Sequence, residues 1–570
     1  YVLFKPHAAL GQNAIAKLRA ANGVVVNELR SVHGVVAHLP KSRLAQLAAM
    51  PDIEWIEAPL PLMSTMNFEN RIRTQVNLVA DAPYNLDGTG VTALVYDGGI
   101  PRLTHLDLVG RVTVVGTGGL SAHSTHVAGT LGGSGMGTVS RFYKGMAPNV
   151  RLLSAARQAS GGGLPLYNNP ADLEADYSVA INTHNADIAN NSVGTNVASN
   201  NQPCSLEGNY GITDAIIDNV VRGSLGRPLI VVWAAGNERD SGRCGTGYAT
   251  IPPPAGSKNP ICVGAVNSND DSMTAFSSWG PTDDGRLKPD VVAPGCQTGA
   301  GDLGVTSCSA ASDVFYEALC GTSMACPTVS GLAALIVQDY RAQFPQAGRP
   351  TNAFVKALLI HGAQDLLTPG PDFQTGYGSV RVKRSVDVMR AETFATAEVA
   401  TGQVREFNTQ VQARESSLKA TLVWDDPAAG FNPARALIND LDLIVTDPLG
   451  RRWYPWTLNP ANPGAGAVQT TVDRINNVEQ VFVADPIPGV WTIEVAGIAV
   501  PGGGGPQGFS VVWSRQACPC DWNDGGGVSS QDFFDFLGAF FTGDADFNAS
   551  GSTTPEDLFD FLACFMAGCA

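Results

Sequence analysis

Long hydrophobic runs are missing from this chain of 570 residues: its most apolar stretches, such as Leu229–Ala235 and Leu332–Val337, fall far short of the roughly 20 residues a membrane span needs. Charge is scarce, at 15% of residues, and positive charge scarcer still: 36 Lys and Arg stand against 52 Asp and Glu, a net charge of −16. A phosphate backbone is bound by clustered basic side chains that displace counterions, so nucleic acid is excluded as a partner. No basic and apolar leader stands before Tyr1, and any signal peptide is expected to have been removed already. What is abundant is apolar surface and glycine. With 44% hydrophobic residues and 63 glycines, the composition suits tightly packed structure with many turns, and the length calls for two to four domains.

The 11 cysteines are placed suggestively. Cys204 and Cys244 lie in polar loops, Cys296 and Cys308 bracket a short Gly-rich segment, and Cys518, Cys520, Cys564 and Cys569 flank a compact tail. That is loop stapling in an oxidising space, and a secreted, extracellular protein is expected. Cys262, Cys320 and Cys326 sit among apolar or motif residues and read as small buried hydrophobes.

Four segments follow from the patterning. Residues 1–66 alternate strand-like and helical stretches (Tyr1–Pro6, Gln12–Ala21, Val24–Leu29, Val35–Leu39, Lys41–Ala49, Ile53–Glu57), a small ferredoxin-like α+β unit. Residues 67–390 alternate helical stretches with continuous Val/Ile/Leu/Ala runs at Val91–Tyr96, Leu152–Ala156, Ile188–Ser192, Ile230–Ala234 and Ile261–Val266. Runs apolar on both faces predict an α/β fold, a parallel sheet flanked by helices. In 391–515 strands such as Leu418–Trp424, Leu441–Val445, Val478–Val483, Val490–Val495 and Phe509–Trp513 predict a β-sandwich or jelly roll. Residues 516–570 hold a repeat with a period of 25, Asp521-Trp522-Asn523 and Asp546-Phe547-Asn548 each leading into an Asp-Phe-Leu-rich helix.

Chemistry is carried by short blocks. The run Val91–Tyr96 ends in Asp97-Gly98-Gly99-Ile100, placing a carboxylate at the C-terminal edge of a parallel strand, where sites of open α/β sheets lie; such Asp-Gly ends are also ordinary turns. His123-Ser124-Thr125-His126-Val127-Ala128-Gly129-Thr130 offers two histidines at helical spacing. A zinc pair there finds no third ligand and no HExxH pattern. Gly321-Thr322-Ser323-Met324-Ala325-Cys326-Pro327 opens an apolar helical run, so the Ser323 hydroxyl sits near free backbone N–H groups. Val231-Val232-Trp233-Ala234-Ala235-Gly236-Asn237-Glu238 is a strand ending in an asparagine.

Together these blocks resemble the motifs of the subtilisin-like serine proteases, the subtilase family, over roughly residues 85–385. The resemblance implies a subtilisin-like fold and a serine endopeptidase acting on polypeptide substrates, with Asp97, His123 and Ser323 as catalytic triad and Asn237 as oxyanion donor. By the same resemblance Ser192, Val193 and Gly194, with Ala235, Gly236 and Glu238, bind substrate, pairing with its backbone and walling the pocket for the residue before the scissile bond (P1). Large apolar P1 residues are expected, with Lys and Arg tolerated because of Glu238. Two departures are plain: Gly98 stands where the family has Ser, Thr or Asp, and Ser124 replaces a glycine.

Residues 1–66 resemble the family's inhibitory pro-domain, which makes the chain's own N-terminal segment a partner and a zymogen its expected form. Asn439-Asp440-Leu441-Asp442-Leu443 and Asn476-Asn477-Val478-Glu479 resemble the C-terminal β-domain of a group of bacterial subtilases. Asp107 aligns with a family calcium carboxylate, but Gly132-Gly133-Ser134-Gly135 lacks the expected asparagine, so no calcium site is expected there. The tail resembles dockerin-type EF-hands. Asp521, Asn523 and Asp532, then Asp546, Asn548, Ser550 and Asp557, are implied as calcium ligands, with a surface or scaffold as the tail's partner. The rival enzyme reading is an acid-acting sedolisin-like peptidase, against which His123 and Asn237 stand. The rival of another class is an inactive protease scaffold used for binding.

Overall fold

The computed structural model describes residues 2–5, 16, 18–20, 22–29, 34–56, 66–138, 141–156, 170–198, 200–245, 247–298, 304–412, 415–517, 520, 522, 528–545, 547 and 553–567. It divides into two compact units, Tyr1–Ser64 and Thr65–Ala570. The first holds β1 (Val2–Phe4), β2 (Val24–Leu29), β3 (Gly34–His38), helix α1 (Leu44–Ala48) and β4 (Ile53–Ile56). Its strands pair antiparallel in the order β2-β3-β1-β4. Val2, Phe4, Leu18, Val35, Leu47 and Ile53 are its core. Most of the helix expected over Gln12–Ala21 lies outside the described residues.

The second unit is built on a seven-stranded sheet. Its members are β5 (Thr92–Asp97), β6 (Val112–Val114), β7 (Arg151–Ala156), β8 (Ile188–Asn191), β9 (Ile230–Ala234), β10 (Ile261–Asn267) and β11 (Val291–Cys296). They run parallel in the order β11-β10-β9-β8-β5-β7-β6. Every residue of β5, β8, β9 and β10 is buried, as both faces of a parallel sheet are covered by helices. β5 lies between β7 and β8: the chain lays down β6 and β7 on one side of it and then crosses to β8 on the other. The C-terminal edge beside β5 is therefore the switch point where crevices open in such sheets. Helix α2 (Ala122–Gly132) and the long α3 (Thr322–Gln343) cover one face; α3 is buried continuously from Met324 to Val337. A ribbon of β12 (Val305–Cys308) and β13 (Tyr316–Leu319) precedes α3.

The C-terminal strands form two antiparallel sheets of four. One contains β14 (Phe394–Val399), β16 (Glu415–Trp424), β19 (Val478–Ala484) and β21 (Gln507–Ala517); the other contains β15 (Val404–Val411), β17 (Asp440–Thr446), β18 (Arg452–Trp453) and β20 (Gly489–Ala499). Leu418, Ala420, Leu422 and Trp424 alternate inward with the period of two that a sandwich requires. The intervening Val423, with Val478 and Val512, instead joins the core of the parallel-sheet layer beside helix α4 (Asn352–His361). The junction also carries a fully buried ion pair, Lys258 Nζ to Asp426 Oδ2 at 2.5 Å, with Lys258 donating further to the Pro427 and Ala436 carbonyls.

Helices α5 (Ser530–Thr542) and α6 (Pro555–Ala567) form the tail, tied by Cys520–Cys564. Phe536 and Phe561, one repeat apart, stack at 3.9 Å between ring centroids.

The cysteine expectations need two corrections. Cys320 is not a lone buried hydrophobe; it pairs with Cys296. Cys308 staples nothing: it is a free, buried thiol whose Sγ lies 3.7 Å from Asp107 Oδ2. The β12–β13 hairpin carries Cys320 back to the end of β11, a fact of strand pairing that linear spacing does not contain. Cys204 pairs with Cys244, while Cys518 and Cys569 lie outside the described residues.

Candidate active site

Three chain segments meet at the C-terminal edge of the sheet. Asp97 is the last residue of β5 and only 2% exposed. Its Oδ1 accepts the Gly98 N–H, and both its oxygens face His123 Nδ1, at 2.8 and 3.0 Å. His123 is the second residue of α2, whose start is capped by Ser121 accepting the Ser124 N–H. Burial lowers the His123 pKa, and the Asp97 carboxylate more than reverses this, leaving it raised above the ordinary imidazole value. A carboxylate on Nδ1 fixes the tautomer that leaves Nε2 as the basic nitrogen.

His126 plays a different part. It is fully buried, donates Nε2–H to the Val305 carbonyl at 2.8 Å, and has its pKa pushed down to about 4 by burial. It anchors α2 to the β12 ribbon.

Ser323 lies in the first turn of α3. Its Oγ donates to the Ser192 carbonyl at 3.1 Å, and Ser192 Oγ donates to the Ser323 main-chain oxygen at 3.0 Å. That oxygen is the one Pro327, four residues on, has no N–H to serve. With its proton on Ser192, the Ser323 hydroxyl makes no hydrogen bond to His123; such bonds commonly tighten only when substrate is bound. Asn237 Oδ1 accepts from both the N–H and the hydroxyl of Thr322, at 2.9 and 3.0 Å. Its amide Nδ2 is thereby left facing the Gly321–Ser323 corner.

Ser192, Val193 and Gly194 continue β8 past the sheet edge, and Ala235 and Gly236 continue β9 beside them. Trp233 Nε1 donates to the Val193 carbonyl at 2.7 Å, Asn190 Nδ2 to Ser192 Oγ at 3.1 Å, and the Gly236 N–H to Thr322 Oγ1 at 3.2 Å. Both walls are thus fixed to the helix that carries Ser323. Trp233, Thr322 and Asn190 were not singled out in the sequence, although Thr322 sits inside the Ser323 block and was within reach of that reading.

Glu238 is 4% exposed, and its Oε2 accepts the Ala198 N–H at 2.8 Å. It holds the loop after Gly194 and does not form an open pocket floor. Glu207 packs near it with neither carboxylate oxygen hydrogen-bonded; burial first, and then the Glu238 charge, push its pKa up to about 7.

His105, Asp107 and Cys308 form a buried trio with metal-ligand chemistry. Their atoms are already engaged: Asp107 accepts from the Gly137 N–H and the Tyr316 hydroxyl, and His105 from the Asp107 N–H. In the tail, Asp532 and Asp557 are fully buried, each using one oxygen to cap its own helix through Ser529 and Thr554. Asp521, Asn523, Asp546, Asn548 and Ser550 lie outside the described residues.

Residues 115–378 match the model of the Subtilase family. The chain is 30% identical over 355 residues to the alkaline serine exoprotease A of Vibrio alginolyticus, covering 58% of this chain and 55% of that one. It is 29% identical over 329 residues to the serine protease AprX of Bacillus subtilis, covering 53% of this chain and 67% of that one. It is 28% identical over 331 residues to an extracellular serine proteinase of a Thermus strain, covering 55% of this chain and 68% of that one. The chain therefore spans about half the length of the Vibrio relative. Among the described residues no helix is long and apolar enough to cross a membrane.

Proposed function

We propose, from the match of residues 115–378 to the Subtilase family model, that the protein is a secreted serine endopeptidase that hydrolyses extended polypeptides through an acyl-enzyme on Ser323. The observation that carries this is the paired contact of both Asp97 oxygens with His123 Nδ1, together with Ser323 in the first turn of a buried helix, tied to the strand end at Ser192. His123 Nε2 takes the Ser323 proton as Oγ attacks the carbonyl and returns it to the departing amine. The Asn237 amide and the Ser323 main-chain N–H at the α3 start stabilise the oxyanion, helped by the helix dipole. The Ser192–Gly194 edge accepts substrate as an added strand.

The unit Tyr1–Ser64 serves as the inhibitory pro-domain, released by Ser323 at a site within 62–67; its compact independent core supports this reading. Calcium would be held in the tail by the buried acids Asp532 and Asp557, with Asp521, Asn523, Asp546, Asn548 and Ser550 as the further ligands that the sequence repeat implies. Disulfides Cys204–Cys244 and Cys296–Cys320 support an oxidising, extracellular location. The test is labelling by a serine-directed fluorophosphonate: modification of Ser323 in processed protein, absent in Ser323→Ala, is expected. An unlabelled wild type that cleaves no peptide sinks the reading and leaves a binding scaffold.

A further inference from the structure

Beyond the sheet edge, the strip Ser192–Gly194 and the strip Ala235–Asn237 run side by side, continuing neighbouring strands, with Ser323 at one end of the gap between them. A side chain next to a carbonyl under attack by Ser323 Oγ has this gap to enter. Pro252 lies against the glycines of both strips. A Cβ built on Gly236 falls 2.6 Å from both Cγ and Cδ of Pro252, and a Cβ built on Gly194 meets only Pro252 Cγ, at 3.8 Å. One proline ring thus sits between the glycines of both walls.

The ring is held there. Pro252 is buried, Thr195, which follows Gly194, donates its hydroxyl to the Pro253 carbonyl, and the Gly208 N–H donates to the Ile251 carbonyl at 2.7 Å. The Pro252 carbonyl accepts the Ala255 N–H at 3.0 Å. Backbone bonds on both sides and a ring of fixed shape leave little room to move aside. The glycines on the walls leave width, and Pro252 removes depth.

We propose that Pro252 closes the primary specificity pocket, so that the enzyme selects small P1 side chains such as Ala, Ser and Gly in place of the large apolar or basic ones expected from sequence. The inference rests on the active-site reading proposed above. Shape exclusion of this kind separates P1 residues by roughly 10–200-fold per misfitting group.

The test uses the full processed enzyme and a tetrapeptide p-nitroanilide series that differs only at P1. Wild type is expected to show kcat/KM for Ala above that for Phe by tenfold or more, and Pro252→Gly to lose or reverse that preference. Pro252→Ala serves beside it in case the glycine variant does not fold, and the Ala-to-Phe ratio does not depend on how much enzyme is active. A wild type that prefers Phe, or a preference for Ala that both variants leave unchanged, overturns the proposal while fluorophosphonate labelling of Ser323 still upholds the active site. Absence of labelling removes both together.

Discussion

Ser192 and Ser323, 131 residues apart, exchange hydrogen bonds, each hydroxyl donating to the other's main-chain oxygen. The bond from Ser192 Oγ satisfies a helix carbonyl that Pro327 leaves unserved, so the strip that follows β8 and the helix start are locked in one register.

Ser192→Ala leaves that carbonyl without a donor, and a loss of about 1–3 kcal/mol in unfolding free energy is expected from denaturant titration. Restoring an N–H with Pro327→Ala should shrink the loss. A double-mutant cycle with no coupling between the two sites would show that the Pro327 gap is filled otherwise.

Because Asp97 outweighs burial and raises the His123 pKa, the rise of kcat/KM with pH should lie above the ordinary imidazole value of about 6.5. Asp97→Asn should lower kcat by roughly 10⁴ through loss of the correct tautomer. For stability the sign is that of a raised histidine: the Asp97–His123 attraction is fully present below the unfolded value and fades as pH climbs through the folded one. A rising limb centred at pH 3–4 would point to carboxylate chemistry instead.

Asn237 is exposed and its side chain is held through Thr322, so Asn237→Ala should fold normally, with kcat down roughly 10²–10³. Full kcat in that variant would remove Asn237 from the oxyanion site.

Glu207, buried with its pKa pushed up to about 7 by burial and by Glu238, keeps its proton in the folded state where the unfolded chain has lost it. Its contribution is therefore fully present below the unfolded value of about 4.5 and is lost as pH rises through about 7. Glu207→Gln should raise Tm by roughly 2 °C or more at pH 8 and leave it unchanged at pH 4. A variant with equal Tm shifts at both pH values would mean that Glu207 does not titrate in this way.

Lys258 and Asp426 are both fully buried at the seam between the parallel-sheet layer and the β-sandwich. Asp426→Ala strands an ammonium in the interior and should cost about 3–5 kcal/mol, lowering the melting of both layers together. Calorimetry resolving a sandwich that melts alone while the parallel-sheet layer keeps its wild-type transition would contradict this.

What the sequence determined by itself is local in character. The run Val91–Tyr96 announces β5 because a strand covered on both faces must be apolar throughout, and Gly321–Pro327 announces a helix start because its turn residues and apolar continuation are adjacent. Those blocks carry the side chains whose chemistry suggests a protease. Which partner each side chain meets was decided by tertiary structure. The Cys296–Cys320 pairing depends on the β12–β13 hairpin, the Ser192–Ser323 exchange on a strand end reaching a helix start, and the Pro252 contact on a loop pinned between two glycine walls. Each spans residues that no period or spacing links, so their meeting is fixed only when the sheet order and the packing of α3 bring them within a few ångströms.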